Sequence, residues 1–254
     1  MTRPSSIPVL RLTGPWQLQP VPLTIPFTPD QLTDSWRTVS ECGHLQPLLY
    51  PDRPYWGQHL RDLNASAWVY QRTFTVPDAP FQRARLHFEG VDYFAEVWVN
   101  HICAGQHEGH FAPFDVDITR LIEPGANLLT VRVSSPWDAP NPGDTYPTDH
   151  VIRGLVKGHY EHGEGVIPPD VNPIGIWRPV SLSLDGGLSL DHVRIHTDLA
   201  GQGDVRLRVT NATAADWHGM LALNITADNH AGAGARLNVP ITLPPGTHAV
   251  DQRL

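Results

Sequence analysis

Two histidine pairs offer the most direct chemistry in this 254-residue chain: His107-Glu-Gly-His110 and His159-Tyr-Glu-His162. Imidazoles and carboxylates are the donors a divalent metal takes. On a strand, however, residues three apart point to opposite faces, so neither pair converges on an ion without loop geometry. The spacing therefore predicts no metal site, and no cofactor is expected. A second collection of reactive types lies in an irregular segment from Ser134 to about Asn172: Trp137, Asp138, Arg153, His159, Tyr160, Glu161 and Glu164. Taken one at a time, each acidic residue there reads equally well as a solvated loop carboxylate.

The elements that must position these residues are strands. Arg85, His87 and Glu89 alternate with Leu86 and Phe88, and Glu96, Trp98 and Asn100 alternate with Ala95, Val97 and Val99. Such alternation gives one wet face and one dry face. Asn100-His101 falls where a tight turn is due, and Gly105 and Gly109 punctuate the residues after it. Phe114 to Ile118 alternates again, Thr119 is placed to cap a short helical turn, and Leu129, Val131 and Val133 form the dry side of a last strand. The stretch from Arg85 to Val133 thus reads as four antiparallel strands. Before it, Leu10 to Pro22 suggests one strand anchored by Trp16, and Trp68 to Val76 is a strong strand. Residues 23–66 read as irregular, with Trp36, Tyr50, Tyr55 and Trp56 covering the sheet. Trp98 is expected between sheets, Asp92 tying down a turn, and Trp177 with Arg178 stacked or paired at a domain junction.

Composition agrees. The chain holds 25 Pro and 21 Gly, which suits many loops between short strands. Its net charge of −8 carries no long run, a poor surface for nucleic acid. No stretch approaches the roughly 20 apolar residues of a membrane span. The N-terminus has no continuous apolar run of secretory length, so a cytoplasmic location is expected. Cys42 and Cys103 then read as two free, buried thiols, and the three Asn-x-Ser/Thr sequons as chance.

At Asp185-Gly-Gly187 the character changes to short alternating strands: 193–195, 205–209, 220–226, 235–243 and 249–254. A domain boundary is placed there, with residues 1–185 in one sandwich and 186–254 in a second. The second is short of the ~100 residues of a Greek-key sandwich. It reads as truncated, with an unpaired edge left at its end.

The segments AWVYQRTFTVP, FEGVDYFAEVWVN, FAPFDVDIT, GANLLTVRV and GIWRPVSL, in this order and spacing, resemble glycoside hydrolase family 2. The likeness is to the N-terminal sugar-binding domain of its β-galactosidases, β-glucuronidases and β-mannosidases, and covers about Leu12 to Leu184. Residues after 186 resemble, more weakly, the immunoglobulin-like domain that comes next in the family. The resemblance implies an all-β chain: a jelly-roll (galactose-binding-like) β-sandwich, then a partial immunoglobulin-like β-sandwich. In the family both precede a TIM barrel that does the chemistry, and retaining hydrolysis needs two carboxyl groups about 5–5.5 Å apart. No strand–helix alternation occurs here, and no Glu follows an Asn, the family's acid/base dipeptide. The expectation is a non-catalytic region shaping the substrate cleft of a barrel in the same or an adjacent chain. The alternative is a free-standing carbohydrate-binding module. Expected partners are a β-glycoside, the barrel and a homo-oligomer.

In the galactosidase branch an acidic residue from this segment touches a sugar hydroxyl, and Asp138 beside Trp137 matches it. A carboxylate accepts two hydroxyl hydrogens, and a Trp face stacks on a sugar's C–H surface. The mannosidase branch uses an acidic residue in a Trp- and Gly-rich loop; here that loop reads GHYEHGEG, with Glu161 or Glu164 in place and no flanking Trp.

Overall fold

A computed structural model describes residues 9–23, 26–52, 59–135, 173–199, 202–226 and 234–253. The chain forms two compact units, residues 1–79 with 84–183, and residues 80–83 with 184–254. Among the described residues no helix is long and apolar enough to cross a membrane.

Among the described residues the first unit holds ten strands: β1 (Val9–Arg11), β2 (Trp16–Val21), β3 (Arg37–Val39), β4 (Ala67–Val76), β5 (Arg83–Phe88), β6 (Phe94–Val99), β7 (Ile102–Glu108), β8 (Phe114–Asp117), β9 (Gly125–Ser134) and β10 (Val180–Asp185). Two short helices, α1 (Leu45–Leu49) and α2 (His59–Asn64), and a 3-10 turn at Pro29–Gln31 interrupt residues that read as irregular. The strands form a six-stranded sheet in the order β3-β2-β4-β9-β6-β7 and a four-stranded sheet in the order β1-β10-β5-β8. Leu129, Val131, Val133, Val97 and Val99 are buried on the first, and Leu86, Phe88, Val116, Val180 and Leu182 on the second. This is the jelly-roll sandwich, and its period-2 burial matches the alternation of the sequence.

Three further details depart from the sequence reading. Leu10 to Pro22 is two strands in different sheets. Gly14, at φ +94°, and Pro15 break it, so β1 joins β10 while β2 joins β4. The stretch from Arg85 to Val133 holds a fifth strand, β7, which the glycine-punctuated ICAGQHE does not announce. Asn100 and His101, at φ 48° and 67°, make the two-residue turn that hairpins it onto β6. After β8 the chain makes a single turn, Leu121 N–H to Ile118 O at 2.9 Å, rather than a capped helical segment, and Thr119 Oγ1 bonds Asp117 Oδ1 instead.

The second unit holds β11 (Leu188–Thr197), β12 (Gly203–Asn211), β13 (Trp217–Ile225), β14 (Ala235–Leu243) and β15 (Gly246–Arg253). They pair as β11-β12-β15 and β13-β14. Val205, Leu207, Val209 and Leu243 form its core, packed by Trp217, Leu221, Leu223, Ile241 and Val250, so the two sheets sandwich one apolar layer. Asp204, Arg206 and Arg208 occupy the alternate, exposed positions of β12.

Candidate binding groove

The six-stranded sheet has a second face, and its residues fall in rows by register. Gln106, Glu96, Arg132, Val69 and Gln19 make one row across β7, β6, β9, β4 and β2. Phe94 pairs with Glu108 on one side and Ser134 on the other. Over the β2–β4 half of this face lies a small second core. Val21, Phe27, Ala67 and Val69 are buried there, with Leu23, Leu32, Trp36 and Trp98 against them. Gln19 fixes the covering chain, donating to Thr33 O at 3.1 Å and accepting from Thr33 N–H at 3.2 Å. Trp98 belongs to this layer, edge-on to Phe27 at 6.1 Å. It is therefore not between the two sheets, contrary to the sequence expectation. Even residues of β6 point away from the main core, and of these the apolar arm covers Trp98.

Among the described residues the other half of the face is open. A groove of about 590 Å³ runs there, lined by Leu23, Phe94, Glu96, Gln106, Glu108, Arg132, Ser134 and Ser135, with Ala95 and His107 at its margin. Its volume lies within the roughly 300–1,000 Å³ of small-molecule sites. Arg132 is buried and ion-paired to Glu96 through Nη1; its Nη2 donates to Leu23 O at 3.0 Å. Tyr93 Oη donates to Glu108 Oε1 at 2.8 Å, and burial, reinforced by that glutamate, raises the phenol's pKa. His107 stacks on Phe114 at 3.9 Å, and burial lowers its pKa. Phe94 leaves 39% of its surface exposed. Among the described residues, two polar atoms of deeply buried residues lining the groove have no hydrogen-bond partner, Ser135 Oγ and Arg132 Nε.

Beneath this end of the sheet sits a polar hub. Asp92 is fully buried, and its carboxylate accepts from His44 Nε2 and His110 Nδ1, each at 2.6 Å. Its backbone exchanges two hydrogen bonds with Gly175, at 2.9 and 3.0 Å. Trp177 stacks on His44 at 5.9 Å and donates from Nε1 to His110 O. Arg178 lies over the Trp177 ring at 4.6 Å. Asp92 thus does more than tie a turn: it joins segments 48 and 18 residues away and docks the returning Gly175-Ile-Trp-Arg178.

His107 and His110 do not converge. One packs on Phe114 and the other binds Asp92. Among the described residues no group of three or more His, Cys, Asp or Glu could hold a metal ion. The cysteines are free, but Cys103 is exposed rather than buried. Cys42 is half-buried, and desolvation pushes its thiol up to about 11. Trp137, Asp138, Arg153, His159, Tyr160, Glu161 and Glu164 all lie outside the described residues, as does His162. Sequence reasoning misses the groove residues as a site. Arg132, the one charge inside the apolar run LLTVRV, is the available signal.

Known proteins share this fold. A family profile described as a glycosyl hydrolase 2 galactose-binding domain-like domain matches residues 44–178. A β-glucuronidase of Paenibacillus borealis is 33% identical over 152 residues, 58% of this chain and 24% of that protein. An exo-β-D-glucosaminidase of Arthroderma benhamiae is 29% identical over 200 residues, 73% of this chain and 20% of that protein. The chain therefore spans at most about a quarter of these relatives' length. The crystal structure of a β-D-mannosidase from Dictyoglomus thermophilum superposes with a TM-score of 0.73 at 19% identity, over 98% of this chain and 31% of that one.

Proposed function

Because this chain belongs to the glycosyl hydrolase 2 galactose-binding domain-like family, we propose that it is the non-catalytic N-terminal region of a retaining β-glycosidase. Its role is to shape the substrate cleft of a TIM barrel carried in the same or an adjacent chain. The observation that carries this reading is the family match on a body made of strands, whose longest described helix has six residues. A barrel needs eight alternating strands and helices and ~250 residues of its own. The retaining mechanism needs an acid/base and a nucleophile held at barrel strand ends, and two β-sandwiches do not supply them. Trp137, Asp138, Glu161 and Glu164 are the residues proposed to reach the sugar, and the parent enzyme acts in the cytoplasm. The relatives are a glucuronidase, a glucosaminidase and a mannosidase by name, so the reading stops at β-glycosides as a class.

The test is a chromogenic assay of the 254-residue chain on aryl β-glycosides, beside the reading frame downstream of Leu254. No turnover with a barrel encoded in frame or immediately downstream is the expected result. Turnover by this chain alone, or the absence of any such barrel, overturns it. A second reading, a free-standing carbohydrate-binding module, draws on the open groove, which is lined by this chain's own residues.

A further inference from the structure

The groove on the outer face of the six-stranded sheet has the parts of a ligand site. Its floor is a charged row flanked by an exposed aromatic ring, and among the described residues two polar atoms of buried residues lining it lack partners. A buried donor or acceptor left unmade is destabilising, so such atoms mark a place where a ligand or ordered water completes the hydrogen bonding. The balance of charge narrows the ligand. Glu96 is neutralised by Arg132, and Glu108 adds one further negative charge held by a neutral Tyr93 hydroxyl. Among its described residues the groove therefore bears a net charge of about −1 and offers no spare cation, which disfavours a carboxylate ligand.

Phe94 supplies a flat apolar surface 39% exposed, stiffened edge-on by Tyr93 at 4.7 Å. Around it stand acceptors of fixed geometry at Glu96 and Glu108, a planar amide at Gln106, and the Ser135 hydroxyl. Hydroxyl donors around an apolar C–H face are what such a set complements. We propose that this groove binds one neutral pyranose ring, its C–H face on Phe94 and its hydroxyls shared among Glu96, Gln106 and Ser135. The ligand class rests on the carbohydrate reading above. The site itself is additional to residues 137–164, which that reading uses.

The experiment is calorimetric titration of the 254-residue chain with methyl β-D-galactoside, β-D-glucoside and β-D-mannoside, and with methyl β-D-glucuronide as the anionic probe. At least one neutral glycoside binds in the millimolar class, and the glucuronide binds more weakly. Phe94→Ala and Glu96→Gln each weaken binding about tenfold or more, a change large enough to separate from scatter. Phe94 is exposed enough that its alanine variant keeps the fold, which circular dichroism verifies. No binding by any neutral glycoside, binding unchanged in Phe94→Ala, or tighter binding of the glucuronide each overturns the proposal. None of these results touches the turnover assay that tests the non-catalytic role.

Discussion

The Asp92 carboxylate accepts a 2.6 Å hydrogen bond from His110 Nδ1 while both side chains are almost wholly shut from solvent. His44 closes the other carboxylate oxygen at the same distance, with the Trp177 ring stacked on it. A carboxylate only accepts, so both imidazoles present N–H groups to it. Replacing Asp92 by Asn puts an amide N–H₂ where one of these donors points. With one buried donor left unmade, Asp92→Asn lowers unfolding free energy by about 1–3 kcal/mol. Urea unfolding monitored by tryptophan fluorescence measures it. A loss below ~0.5 kcal/mol would show that the hub is not a stability determinant.

Gly175 meets the hub through its backbone and sits at φ +139°. A Cβ there would overlap the Gly43 carbonyl oxygen and stand 2.8 Å from Tyr70 Oη. Backbone and a buried phenol cannot step aside, and the conformation itself is one L side chains rarely adopt. Gly175→Ala is expected to cost about 3 kcal/mol or more, within the range for strain plus overpacking. Gly14→Ala, with open space around the site, carries the conformational part alone. Comparing the two melting temperatures separates strain from clash.

His107 makes stability depend on pH. Burial lowers its folded pKa below the unfolded value of about 6.5. The unfolded chain therefore binds the proton more readily, so this contribution is complete above pH 6.5 and is lost as pH falls toward the folded pKa. Urea midpoints of the wild type should drop between pH 7.5 and 5 more than those of His107→Gln. Parallel curves for the two proteins would rule out a shifted His107.

The two thiols should separate in reactivity. With its pKa at about 11, Cys42 is ionised to about one part in a thousand at pH 8, and only the thiolate attacks. Cys103 is exposed on β7. In native protein an aromatic disulfide reagent should titrate one thiol promptly and the second on unfolding. Prompt reaction of the Cys103→Ser variant would contradict this.

How much of this structure is legible in the residues alone depends on one rule. Where a strand buries one face, alternation announces it, as in Phe94–Val99 and Gly125–Ser134. Strand β7 escapes because its register is filled by Gly105 and Ala104, and Gly105 packs against Val116, where the sequence signal of a strand is weakest. Trp98 reads as main core because large aromatics usually go there; the arm carrying Phe27 that covers it is 71 residues away in sequence, a pairing no local pattern encodes. The groove is hidden as a site for the same reason. Arg132 stands out as the one charge in LLTVRV, but only the β6–β9 register sets it beside Glu96. The hub gives partial notice, since Asp92, His110 and Gly175-Ile-Trp-Arg178 all lie in or beside the segments that carry the family resemblance.

The arm that carries Leu23, Phe27, Leu32 and Trp36 covers half of a sheet face and leaves the rest as a trough. One wall of the trough, at Leu23, is therefore set by a connecting segment, while β6, β7 and β9 supply most of the rest. Insertions or deletions in that segment would widen, narrow or close the trough while the ten-strand framework, with its own separate core, stays as it is. That wall and the main core are thus encoded in different stretches of the chain, and a library randomised only between Leu23 and Trp36 would vary the wall while leaving the strand residues of the trough in place.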